Sequence, residues 1–244
     1  MKKKLIFLML LAAISINGQS QALIALLFGS KLSTPKMVMG VQLGGNLSFQ
    51  TNSSYKSPLP NFAFGAYVNY KFSQKWHLNT FLTIKSNRGV NGLDTSYSIF
   101  KPLDTTLTSA TLQRKLTYID INPEFQFLLS KSFAIGIGPV ISILTGAKDY
   151  YEGTRGDADV TEKFNIYKKL NLFDVGISID LQYTLNKGEG LSINLKYIQG
   201  FLNPYKNGVN PSAMTSFLNV GLGIPIKSHK KDDFAKSDDE KIKK

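Results

Sequence analysis

The stretch FDVGISIDLQY, residues 173 to 183, decides the fold because its side chains alternate strictly between two kinds. The odd-numbered residues are all apolar, namely Phe173, Val175, Ile177, Ile179, Leu181 and Tyr183. The even-numbered residues between them are polar or glycine. Successive side chains of a β-strand point to opposite faces, so a period of two predicts a strand with one apolar and one polar face.

The same alternation recurs in seven further segments of similar length. They cover residues 39–49, 62–72, 76–86, 116–129, 133–145, 191–201 and 217–226. No stretch of comparable length between them shows the 3.6-residue period of a helix. The sequence therefore predicts an all-β domain, residues 38–226, with eight strands.

The connections between these segments alternate between short and long. Residues 73–75, 130–132 and 186–190 form the short ones, and residues 50–61, 87–115, 146–168 and 202–213 form the long ones. A soluble sandwich or lipocalin-like barrel would show the same strand pattern, but it has no reason to segregate short turns from long loops. Such segregation is typical of outer-membrane barrels, which have periplasmic turns and extracellular loops. We therefore predict an eight-stranded antiparallel up-and-down transmembrane β-barrel with both termini in the periplasm.

Aromatic residues beside the predicted short turns give an independent indication. Six of them lie on the apolar side of their strands: Tyr70, Phe72, Trp76, Phe127, Phe133 and Tyr183. Membrane barrels carry aromatic girdles at the membrane interfaces, so these residues are predicted to form the periplasmic girdle. The alternative interpretation is that they are core aromatics of a soluble sandwich.

The polar faces of the strands would line the inside of such a barrel. The predicted charged lining consists of Lys71, Lys85, Asp120, Glu124, Asp174, Asp180 and Lys196. Eight strands enclose a space that side chains can fill, so we interpret this set as a paired polar network that plugs the lumen. A structural plug is preferred to a proton relay or a catalytic dyad, and no catalytic residue is assigned.

Segments outside the strands indicate export. Three lysines, the apolar run 5–14 and the small-residue stretch 15–22 are typical of a signal peptide, predicted as residues 1–22. A membrane anchor over residues 5–28 is the alternative. Residues 23–37 are predicted to form a short apolar helix or lid, and residues 227–244 a charged, disordered periplasmic tail.

Composition narrows the chemistry that the chain can perform. The chain has no cysteine and only two histidines, His77 and His229, so neither a metal site nor a cofactor is predicted. The net charge of +12 is scattered over turns, loops and tail, which argues against a nucleic-acid partner. A glycine-rich stretch at residues 40–46 lacks the strand-to-helix context of a phosphate loop.

Short motifs along the predicted barrel resemble the PorT-like outer-membrane β-barrel proteins of Gram-negative bacteria. They are GVQLGGN at 40–46, YIDINP at 118–123, GP at 138–139, LKYIQG at 195–200 and GLG at 221–223. The resemblance implies a barrel inserted by the outer-membrane assembly machinery and, for some members, a part in secretion or gliding systems.

These observations lead to three functional hypotheses. The first is a non-enzymatic outer-membrane barrel, structural or accessory to a surface or secretion assembly. It would contact outer-membrane lipids and, through its loops or its periplasmic face, a protein partner. The second is a small-molecule or lipid-binding barrel or a narrow channel, and the third is an outer-membrane hydrolase.

Overall fold

The computed structural model describes residues 36–51, 53–94, 97–99, 108–188, 190–206 and 213–226, most of which lie in ten β-strands. The strands are β1 (Met37–Gln50), β2 (Ser57–Pro58), β3 (Pro60–Lys71), β4 (Trp76–Leu93), β5 (Thr108–Leu128), β6 (Phe133–Arg155), β7 (Ala158–Asn165), β8 (Phe173–Thr184), β9 (Ser192–Gly200) and β10 (Thr215–Ile226). A 3-10 helix at Tyr167–Lys169 precedes β8. Among the described residues, no helix is long and apolar enough to cross a membrane.

Eight of these strands form a closed antiparallel ring. The order around the ring is β1, β3, β4, β5, β6, β8, β9 and β10, and β10 pairs back onto β1. At this seam Met39 lies opposite Ile226 and Gln50 lies opposite Thr215. Closure leaves the ring without an unpaired edge, as a structure surrounded by hydrocarbon requires. The predicted eight-stranded up-and-down barrel is confirmed.

The two rims of the ring differ as the connection lengths predicted. Three short turns lie at one end, here called the turn rim, together with the start of β1 and the end of β10. Ser73 Oγ accepts the backbone N–H groups of Lys75 and Trp76 and so fixes the first of these turns. Asn186 and Lys187 adopt positive φ in the third turn, a conformation that asparagine tolerates well. The long connections all lie at the opposite end, here called the loop rim.

Two of the predicted polar loops are largely strand. β4 continues to Leu93 and β5 begins at Thr108, so most of the predicted loop 87–115 is paired. β6 likewise continues to Arg155 and returns as β7 after Gly156, which has a φ of 58°. The prediction was wrong here because it ended strands where their outward residues become polar. These extensions bury alternate residues above the ring instead, including Val90, Leu93, Leu112 and Tyr151.

Large apolar side chains cover the outer face of the ring. In β8, Val175, Ile177 and Ile179 are 41%, 40% and 51% exposed. The outward row of β6 from Phe133 to Ile143 spans about 33 Å of strand, or about 23 Å of height at a 45° tilt. That height matches the apolar band of a membrane barrel, about 25 Å. A soluble sandwich would bury such a face in its core.

Replacing Ile177 with arginine should destabilise the barrel in bilayers. Ile177 lies near the middle of β8 on the exposed apolar face, and a charge at the bilayer midplane costs about 2–4 kcal/mol. Urea unfolding in lipid vesicles measures the change. The matched control is Tyr183→Arg, on the same face of β8 but at the turn rim, where the cost falls to about 0–1 kcal/mol. Equal losses for the two variants would contradict the membrane orientation.

The predicted segments at the two ends of the chain fall mostly outside the described residues. The signal peptide (1–22), residues 23–35 of the predicted lid and the tail (227–244) all lie there. Lys36 forms a turn and Met37 begins β1, so the lid prediction does not hold for these two residues.

Candidate functional site

The lumen of the ring is filled by side chains in layers, and amides form the layer nearest the turn rim. Gln182 Oε1 accepts hydrogen bonds from Asn79 at 3.2 Å, Gln126 at 3.0 Å and Asn194 at 3.2 Å. Asn69 in turn donates to Gln126 Oε1 at 3.3 Å. These residues come from β3, β4, β5, β8 and β9, so two amide oxygens, of Gln182 and Gln126, connect five strands of the ring.

A buried lysine organises the next layer. Lys196 Nζ lies 2.8 Å from Glu124 Oε1, and it donates to Asn122 Oδ1 at 2.9 Å. It also sits 3.3 Å from the centre of the Phe81 ring. Ser178 donates a further hydrogen bond to Glu124 at 2.8 Å. Lys196 Nζ and Glu124 Oε1 therefore each have several partners, which a charge removed from water requires.

A second carboxyl group shares this lysine. Asp180 is fully buried beside Glu124 and interacts with Lys196, and its Oδ2 accepts from Asn194 at 3.0 Å. Glu124 Oε2 and Asp180 Oδ1 have no hydrogen-bond donor among the described residues. Lys196 is thus the cation that compensates both acids of the layer.

Arg88 dominates the layer nearest the loop rim, and the sequence analysis missed it. Its guanidinium contacts Asp120 at 2.5 Å and Asp174 at 3.8 Å, and it donates to Ser142 at 3.0 Å. The ring centres of Tyr118 and Phe217 lie 4.4 Å and 4.1 Å from its Cζ atom. Arg88 lies within the predicted polar loop, so it was not considered as an inward residue.

The structure corrects the prediction for Lys85. The pairing of β4 with β5 shifts between Thr83 and Ser86, which marks a β-bulge. An extra residue in a strand moves the following side chains to the opposite face. Lys85 is therefore exposed, while Ser86 and Arg88 point into the lumen.

The other predicted lining residues divide into two groups. Asp120, Glu124, Asp174, Asp180 and Lys196 are all buried in the lumen and belong to the layers described above. Lys71 is the last residue of β3, half-buried at the turn rim opposite His77, and the structure does not bring it together with the acids.

Above the ring, the strand extensions and loops contribute a further buried ion pair at the mouth of the lumen. Arg114 makes two hydrogen bonds of 2.7 Å to the carboxylate of Asp149, and both residues are buried. Tyr205, from the connection between β9 and β10, accepts from Arg114 and Gln50 at 2.6 Å each. Tyr205 is thereby fixed inside the mouth of the barrel.

Apolar packing completes this closure. Tyr205 belongs to a buried cluster whose other members are Leu116, Tyr118, Leu144, Ala147, Ile166, Leu170 and Ala213. A cavity of about 20 Å³ lies beneath it, between Asn46, Asp120 and Lys196. Such a volume holds about one water molecule, so it does not amount to a channel.

The predicted girdle residues lie together on the outer face at the turn rim. Trp76 packs on Phe127, and Tyr70 on Phe72, each with ring centres 5.0 Å apart. Phe133 lies opposite Tyr183 across the β6–β8 pair. Their exposed rings continue the apolar band down to the turn rim.

A family model described as "Outer membrane protein beta-barrel domain" matches residues 19–205, most of the chain. The chain belongs to this family of outer-membrane β-barrel domains. As a member of the family, it resides in the cell outer membrane. The family match does not separate PorT-like proteins from others, so that resemblance stays a prediction. No curated protein matches the sequence.

Several solved outer-membrane barrels are similar to this family member. Ail of Yersinia pestis, in complex with the heparin analogue sucrose octasulfate, is 11% identical, with 78% of this chain and 99% of that chain covered and a TM-score of 0.44. Neisserial surface protein A is 8% identical, with coverages of 77% and 96% and a TM-score of 0.39. OprG from Pseudomonas aeruginosa is 13% identical, with coverages of 78% and 94% and a TM-score of 0.37. At these identities the likeness is one of fold alone.

Proposed function

We propose that this outer-membrane barrel is non-enzymatic and serves a surface or secretion assembly through its folded loop rim rather than through a pore. The observation that carries the proposal is the filled lumen. Buried ion pairs of Lys196 and Arg88 cross it, and Tyr205 closes its mouth. In this proposal the loop rim is extracellular, both termini are periplasmic, and the assembly machinery inserts the chain.

The loop rim supports a role in binding a protein partner because it is built from strands. We call its protruding part, residues 145–165 of β6 and β7, the hairpin. Within the described residues, β7 pairs with β6 along the whole of its length. A preformed surface of paired strands loses little conformational freedom when a partner binds.

The position of His77, the histidine that the structure describes, supports the assignment of a non-enzymatic function. A hydrolase acting on lipid or peptide outside the cell would need an activated nucleophile near the loop rim. His77 lies at the opposite end of the barrel, beside Trp76 and opposite Lys71.

Planar-bilayer recording tests the filled lumen directly. The purified barrel is expected to show no stable single-channel conductance, because the charged layers and the packed mouth of the described residues occupy the lumen. A general porin inserted under the same conditions is the positive control. Stable openings of any size would reject the proposal, and openings smaller than those of the porin would favour the narrow-channel hypothesis.

Because the sequence contains no cysteine, a single introduced cysteine can be labelled specifically to test the binding surface. In intact cells, a membrane-impermeant maleimide that carries a photocrosslinker should label Thr161→Cys in β7 and yield a crosslinked partner. Lys131→Cys, in a turn at the opposite rim, is the matched control and should react only after lysis. The reverse labelling would invert the topology. A partner captured only from Lys131→Cys would instead place the assembly on the turn rim.

A further inference from the structure

Three lysines surround one tyrosine on the outward face of the hairpin and the neighbouring part of β5. Lys115 lies directly opposite Lys148 in the β5–β6 pair, and Lys163 lies opposite Tyr150 in the β6–β7 pair. The ammonium groups of Lys115 and Lys163 lie 4.9 Å and 5.7 Å from the centre of the Tyr150 ring. All three lysines are exposed. We call them the lysine cluster.

The lysine cluster carries an excess of positive charge, because Glu152 is the one carboxylate beside Tyr150 on its face of β6 and faces three lysines. Like charges directly opposite each other in a sheet are destabilising. Within the described chain, no carboxylate forms an ion pair with Lys115, Lys148 or Lys163. The nearby Asp149 faces the other side of the sheet and is paired with Arg114. The Tyr150 ring attracts two of the ammonium groups through cation–π contacts but does not neutralise them.

The position of the lysine cluster, above the apolar band, also indicates what it binds. Lys115 shares its face of β5 with Thr117, Ile119 and Ile121, so it directly continues the surface that contacts lipid. Four residues separate Lys115 from Ile119, which is about 13 Å of strand or about 9 Å of height at a 45° tilt. Lipid headgroups occupy the zone immediately beyond the hydrocarbon core, roughly 5–8 Å deep on each side. The ammonium groups of flexible lysine side chains reach this zone.

We propose that Lys115, Lys148 and Lys163 form a docking surface for the phosphate groups of a phosphorylated lipid in the leaflet at the loop rim. The acyl chains of that lipid would lie on the apolar face of β5 and β6, and its phosphates would supply the missing negative charge. Tyr150 holds the ammonium groups of Lys115 and Lys163 4.9 Å and 5.7 Å from its ring centre.

Lipid retention during purification tests the proposal. The full barrel is incubated with bisphosphorylated lipid A or with the same lipid after enzymatic dephosphorylation, and bound lipid is counted by native mass spectrometry. The wild-type protein is expected to retain the phosphorylated lipid at least about tenfold better, since basic residues attract anionic headgroups. The combined variant Lys115→Gln, Lys148→Gln and Lys163→Gln should lose this preference.

A charge-matched variant separates the lysine cluster from general electrostatics. The substitutions Lys75→Gln, Lys131→Gln and Lys187→Gln remove the same charge from exposed positions at the turn rim and should leave retention unchanged. Heat-modifiable gel mobility confirms that both variants are folded. Equal retention by the two variants, or equal retention of the dephosphorylated lipid, would overturn the proposal. Complete displacement by inorganic phosphate at matched phosphorus concentration would also overturn it, because the ligand would then be free phosphate rather than lipid.

Discussion

Replacing Arg88 with methionine is expected to lower the free energy of unfolding by about 3–5 kcal/mol, because a buried charge loses its partner. Asp120 and Asp174 would keep their places in the lumen without the guanidinium that contacts both. The rings of Tyr118 and Phe217 would also lose the cation that lies over them. Urea unfolding in lipid vesicles, followed by gel mobility and by the fluorescence of the single tryptophan Trp76, measures the change.

The control for Arg88→Met is Lys85→Met, three positions earlier in β4. Lys85 is exposed after the bulge, so its loss should change stability by no more than about 0.5 kcal/mol. A second variant, Arg88→Met with Asp120→Asn, should recover part of the loss because one of the two uncompensated charges is removed. If Lys85→Met proved as harmful as Arg88→Met, the position of the bulge would be wrong.

Replacing Lys196 with methionine is expected to have an effect of similar size, about 3–5 kcal/mol, because two buried acids depend on this lysine. Glu124 would lose its 2.8 Å ion pair, and Asp180 would remain beside it with Asn194 as its donor. The same unfolding assay in vesicles measures the loss. A loss of this size would indicate that the buried charges of the lumen neutralise one another. No loss would indicate that water solvates each charge separately.

Two further variants define the origin of the Lys196 effect. Lys196→Met combined with Glu124→Gln should be more stable than Lys196→Met alone, since one carboxylate is then neutral. Lys71→Met removes the same charge from the turn rim, where the side chain is half-buried, and should change stability little. No recovery in the double variant would argue against a shared cation in this layer.

The strand pattern predicted the architecture because a period of two is a local property of the chain. In β5, β8 and β9 the alternation stays in phase, so Glu124, Asp180 and Lys196 could be assigned to the inner face from parity alone. The alternating lengths of the connections then distinguished a membrane barrel from a soluble one. None of these inferences required knowledge of which strands pair.

The bulge in β4 could not be predicted in the same way. The extra residue between Thr83 and Ser86 is defined by the partner strand, in which Asp120 and Tyr118 are only two residues apart. Pairing between distant segments is not visible in the alternation of one of them. Lys85 was therefore assigned to the wrong face of β4, and Arg88 was overlooked.

The buried pair of Arg114 and Asp149 was missed for a related reason. Both residues lie in extensions whose inner face mixes charges with apolar residues, so counting apolar positions indicated loops. The two guanidinium hydrogen bonds to Asp149 form only when β5 and β6 pair above the ring. In a single sequence, the one signal for such a pair is that Arg114 lies on the same face of β5 as the apolar residues Leu112 and Leu116.

The seam of the ring also sets the order of events during biogenesis. Its pairing joins the strand synthesised first to the strand synthesised last, and Asn219 donates to the carbonyl of Gly45 across 174 positions. Contacts of such long sequence separation form slowly, because a large loop of chain must be ordered before any of them forms. Until β10 has been made, β1 and β9 each have one edge without a neighbour in the ring. While the ring is open, the apolar band of the chain is exposed without its final neighbours, which makes this stage prone to aggregation.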